Sequence, residues 1–140
     1  METRKVLPGL STTSFYAPDH QAAIKWSFDF FGIEPYFNVP GYAEFGLGDY
    51  QHELGSIASK FAPYGVTVKP TGTIAYRHVD DLQATFDKLA SLGTSMYEPI
   101  IDRSQGQRRF ITASVIDPFC NILGIITNKH DLEILQNTIQ

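Results

Sequence analysis

Apolar and polar residues alternate in two rhythms along this chain, and the order of those rhythms is written twice. From Leu10 to Tyr16, a run dense in Thr, Phe and Tyr predicts a strand, because these residues fit a pleated surface. Pro18-Asp19 ends that run, and Asp19 is placed to cap a helix by accepting from first-turn N–H groups. Between His20 and Phe31, Ala23, Trp26 and Phe30 recur at helical spacing, with Trp26 read as core packing and Gly32 as the C-terminal stop. Three strands are predicted next: Glu34 to Val39, Tyr42 to Leu47, and about His52 to Ala58. Turns at Pro40-Gly41 and Gly48-Asp49-Tyr50 separate them.

The stretch from Lys60 to Thr71, with Pro63, Gly65 and Pro70, reads as a linker, after which the order repeats. Thr73 to Val79 predicts a strand and Asp80/Asp81 a cap. Leu82, Phe86, Leu89 and Leu92 give the next helix its apolar face. Strands follow at Ser95 to Ile101, Phe110 to Ile116 and Ile122 to Thr127, with a short terminal helix from His130 to Gln140. The copies lie about sixty residues apart and share detail, Asp19-His-Gln-Ala against Asp81-Leu-Gln-Ala and Leu54-Gly55-Ser56-Ile57 against Leu123-Gly124-Ile125-Ile126. The expected fold is α+β: two βαβββ modules, about 10–60 and 72–128, whose sheets close into a cup-like, partly open mixed barrel. They form a single domain over 1–140 with a tail at 129–140.

With 140 residues, 43% of them hydrophobic and 13% aromatic, the chain can bury a core and still line a pocket. A net charge of −4 with no basic run argues against nucleic acid as a partner. The apolar stretches are far shorter than the roughly 20 residues of a membrane span. No apolar signal core follows Met1-Glu-Thr-Arg-Lys, and the single cysteine, Cys120, has no internal partner, so a cytoplasmic location is expected.

Three motifs carry a resemblance: Ser14-Phe-Tyr-Ala-Pro-Asp19 before the first helix, Tyr76-Arg-His-Val-Asp-Asp-Leu82 before the second, and Asp117-Pro-Phe-Cys-Asn-Ile-Leu-Gly124. In order and in duplicate, from Leu10 to about Asn128, the chain resembles the vicinal oxygen chelate superfamily of glyoxalase I, bleomycin- and fosfomycin-resistance proteins and extradiol dioxygenases. The resemblance implies divalent-metal ligands on the first and last strands of each module, His or Gln on the first and Glu on the last. A first-strand ligand about seven residues before the helix-opening Asp falls on Thr12 and Ile74. The last-strand Glu of the second module falls on Gly124, and by internal symmetry its counterpart is Gly55, with Glu53 on the same strand face. One carboxylate is not a metal site, so no metal and no cofactor are expected. Where Cys120 stands, the family usually has a glycine with positive φ.

Strand alternation groups Thr12, Ser14 and Tyr16 in one module and Ile74, Tyr76 and His78 in the other, with Glu53 facing inward. The candidate catalytic groups are therefore Glu53 and His78; the candidate ligand contacts are Thr12, Ser14, Tyr16, His52, Ile74, Tyr76 and Arg103, the last from the loop around Gly106. His20 and His130 read as incidental helix-start residues. The expected function is capture of a small aromatic or amphipathic molecule in the cup, by a homodimer. The alternatives are a metal-dependent lyase, isomerase or dioxygenase, and a metal-free acid/base enzyme.

Overall fold

The computed structural model describes residues 10–48, 51–66, 69–70, 72–129, 132–134 and 136. Two compact units divide the chain, Met1–Val66 and Thr67–Gln140. In the first, β1 (Thr12–Ala17) leads into α1 (His20–Phe31), followed by β2 (Phe37–Val39), β3 (Tyr42–Leu47) and β4 (His52–Ala58). The second repeats the order with β5 (Tyr76–His78), α2 (Leu82–Ser91), β6 (Ser95–Asp102), β7 (Phe110–Ile116) and β8 (Ile122–Asn128). Each unit holds one four-stranded mixed sheet, ordered β1-β4-β3-β2 and β5-β8-β7-β6. The βαβββ duplication is thus real, and neither sheet closes on itself.

The capping chemistry follows the sequence. Asp19 accepts from the Ala22 N–H at 3.1 Å and Asp81 from the Ala84 N–H at 3.0 Å, each with extended backbone. Such a cap satisfies one of the donors that a helix N-terminus leaves over. Gly32, in the left-handed region, ends α1 and donates to the Phe28 carbonyl at 2.8 Å. The αL conformation there turns the chain away from the helix at no steric cost to glycine.

Helix α1 lies on the face of its sheet formed by alternate residues. Its Ile24 is buried with Ala43, Phe45 and Leu54, and Phe15, Phe31 and Leu47 pack around them. Phe31 meets Phe45 edge-on, with ring centroids 5.5 Å apart. Trp26 is not in that core. It is half-buried beside Phe30, because the helix turns Ala23, Ile24 and Phe31 toward the sheet. In the second unit α2 buries Leu82 and Leu89 on the side of β7 and β8 that carries Ile111, Ala113, Val115, Leu123 and Ile125.

Several predicted bounds shift. The strand expected from Glu34 is only Phe37–Val39 because Pro35 has no N–H for a ladder; pairing resumes with the Tyr36 N–H on the Glu44 carbonyl at 3.0 Å. β5 spans three residues rather than Thr73 to Val79. Gly48, at φ 69°, and the Gln51 N–H on its carbonyl at 3.1 Å frame the predicted turn, whose Asp49 and Tyr50 lie outside the described residues. The predicted linker, Lys60 to Thr71, starts within a 3-10 turn at Ser59–Phe61; its residues 67, 68 and 71 lie outside the description. Of the terminal helix, residues 132–134 and 136 are helical, while His130 and the remainder lie outside it.

Two single residues repay attention. His20 is buried, and neither ring nitrogen has a hydrogen-bond partner; burial pushes its pKa below the usual 6.5. Its reading as incidental was therefore incomplete, since only the rotation of α1 decides whether a first-turn side chain is covered. Cys120 adopts φ 69°, the left-handed conformation anticipated for that turn. The turn is held by Asp117, whose Oδ1 accepts from the N–H groups of Phe119 and Asn121 at 2.8 and 2.9 Å. Burial pushes the Asp117 carboxyl up, opposed by those N–H groups and by the Arg77 charge.

A cysteine at positive φ costs on the order of 1 kcal/mol relative to glycine. Cys120→Gly is therefore expected to stabilise the protein by about that amount in urea unfolding, and Cys120→Ala, which keeps the Cβ, to give no such gain. For His20 the sign follows from proton linkage. The folded state resists protonation, so as pH falls below 6.5 the unfolded chain binds the proton first and stability declines. The difference in urea midpoint between wild type and His20→Leu, measured at pH 7.5 and 5.5, should show the wild type losing more stability at the lower pH.

Candidate functional site

On the helix-free face of the first sheet, register brings the candidate residues into rows. Thr12, Glu53 and Gly46 form one row; Ser14, Gly55, Glu44 and Phe37 the next; Tyr16, Ile57, Tyr42 and Val39 the third. Directly paired residues point to the same face of a sheet. The structure therefore groups Thr12, Ser14, Tyr16 and Glu53, as alternation predicted. His52 precedes Glu53 by one residue, so its side chain starts on the opposite face, at the exposed beginning of β4.

Glu53 is held by hydroxyls. Its Oε2 accepts from Thr12 Oγ1 and, at 3.3 Å, from Ser11 Oγ. One strand away, Glu44 is gripped by two phenols: Tyr36 donates to Oε2 and Tyr42 to Oε1, the latter at 2.5 Å. These bonds hold the Glu44 carboxyl below the ordinary carboxylate range. They push both phenols up to about 12, because losing the phenolic proton would set two negative charges against each other. Glu44 and its two tyrosines were absent from the sequence-derived candidates. The signal was available only in part: Tyr42 and Glu44 share a face by alternation, but Tyr36 precedes β2 and reaches them only once β2 pairs with β3.

In the second unit Tyr76, Gly124, Ser114 and Glu98 form one row of the helix-free face, and His78, Ile126, Thr112 and Ile101 the next. Tyr76 and His78 are together, and Ile74 reaches the same place: a Cβ built on Gly124 would lie 2.6 Å from the Tyr76 ring and 3.0 Å from Ile74 Cγ2. Gly124 is thus roofed by a phenol ring. Its counterpart Gly55 is roofed likewise, with Ser14 Oγ at 3.1 Å and the Tyr42 ring at 3.2 Å from a built Cβ. Arg103 lies over this face, donating from Nε to Thr112 Oγ1 at 3.0 Å and pairing with Glu98 at 3.2 Å. His78 Nε2 and Ser114 Oγ are buried atoms without hydrogen-bond partners, and the Ser114 residue is wholly buried. Buried polar groups are ordinarily paired, so two orphans on one face stand out.

Among the described residues no three His, Cys, Asp or Glu side chains gather as a metal-binding group, and no helix is long and apolar enough to cross a membrane. A separate cleft of about 570 Å³ opens at the start of α2, lined in part by Asp80, Asp81, Asp102 and Arg108. It contains none of the predicted site residues. Its Asp81 and Asp102 are committed to the helix cap and to the Ser104 and Arg108 backbone.

The sequence matches no protein-family model and no curated protein. Solved structures do match. A glyoxalase-related enzyme from Fulvimarina pelagi superposes with a TM-score of 0.69 at 18% identity, covering 88% of this chain and 90% of the other. Lactoylglutathione lyase from Agrobacterium tumefaciens gives 0.65 at 17%, covering 87% and 95%. A glyoxalase/bleomycin resistance protein/dioxygenase from Nocardioides gives 0.63 at 14%, covering 88% and 85%. The chain has the fold of the glyoxalase/bleomycin-resistance/dioxygenase proteins, that of the vicinal oxygen chelate superfamily.

The roofed glycine makes a quantitative expectation. Gly124→Ala should destabilise the protein by about 1–3 kcal/mol, the range for overpacking, because the Tyr76 ring and Ile74 must shift. In a Tyr76→Ala background the same substitution should cost measurably less, and a double-mutant cycle in urea reads the coupling. Equal costs in both backgrounds would mean that the ring does not hold the position.

Proposed function

We propose that this protein binds a small aromatic or amphipathic molecule against the helix-free faces of its sheets and does so without a divalent ion. One observation carries the reading: at the corresponding position of each unit, where the resemblance calls for or mirrors a ligating carboxylate, a glycine lies under an aromatic ring. Those residues do not fit a metal. Gly55, Gly124 and Ile74 offer no side-chain donor atom, which leaves the Thr12 hydroxyl and a single carboxylate, Glu53, beside it. What is present instead suits recognition of an organic ligand, for small-molecule sites are mostly apolar with a few placed polar groups. On the second unit's face the Tyr76 ring supplies apolar surface and Arg103 a polar anchor; on the first unit's face the Tyr42 ring lies beside Glu44. The homodimer and the cytoplasmic location expected from the sequence belong to this same proposal.

A thermal-shift screen of aromatic and amphipathic compounds, with and without EDTA, tests it. A ligand at a hundred times its Kd stabilises the folded state by about 2.7 kcal/mol, well within reach of the method. At least one compound should raise the Tm equally in both buffers, and the shift should shrink in Tyr76→Ala or Tyr42→Ala. Stabilisation by Mn, Ni, Zn or Fe(II) alone, or ligand binding that EDTA abolishes, would favour the metal-dependent alternative instead. No binder from a broad collection would overturn the reading.

A further inference from the structure

We draw no further inference here: the strongest candidate, the side-chain cluster on the second unit's helix-free face where the Arg103 guanidinium lies between Thr112 and Glu98 on the face that carries the exposed Tyr76 ring, belongs to the site already described, and its hydrogen bonds run among its own neighbours with nothing in the structure to show what ligand would meet it.

Discussion

Once β1 is hydrogen-bonded in parallel to β4, and β5 to β8, little freedom remains in either unit. Parallel strands cannot be joined by a hairpin, so each pair requires a crossover, and α1 or α2 makes it. The crossover helix covers one face of its sheet and leaves the other to different chemistry. It also sets the register in which Ser14 meets Gly55 and Tyr76 meets Gly124. The groupings of Thr12, Ser14 and Tyr16 with Glu53, and of Tyr76 and His78 with Gly124, descend from that pairing. The glycines are part of the same constraint: a side chain on either would strike a ring or a hydroxyl belonging to a neighbouring strand.

Much of the architecture was legible because local rules and tertiary packing agree. Asp19 and Asp81 stand where a cap must stand, and hydrophobic periodicity changes rhythm on either side of them. The duplication made the second copy a check on the first. The candidate site was legible only along single strands. Thr12, Ser14 and Tyr16 follow from a period of two, and so do Tyr76 and His78. Glu44 escaped because its importance lies in Tyr36, eight residues away and outside any strand. His52 stood among the candidate ligand contacts, but it is next to Glu53 in a strand, and strand neighbours point to opposite faces. His20 and Trp26 depended on the rotation of α1 about its axis, and several apolar residues around that helix left two faces plausible.

The two units solve the same geometric problem with different chemistry. In the first, the row through the roofed glycine carries Ser14 and Glu44; in the second it carries Tyr76 and Ser114. One face thus carries two carboxylates that accept hydroxyl protons from their neighbours. The other has a guanidinium held between Glu98 and Thr112, with an imidazole nitrogen and a hydroxyl left unpaired. A duplicated backbone has kept its hydrogen-bonding plan while its two interiors have diverged in charge. This is what separating fold from function predicts.

The roof over Gly124 also bears on how this sequence can change. A glutamate there would need space that the Tyr76 ring and Ile74 now fill, so the acidic substitution is penalised while tyrosine remains. Shrinking Tyr76 first would open that space, whereas the opposite order passes through a strained intermediate. The two positions are therefore epistatic, and the route by which a carboxylate could enter this strand has a direction. One aromatic ring acts as a ratchet on the descent of the second unit.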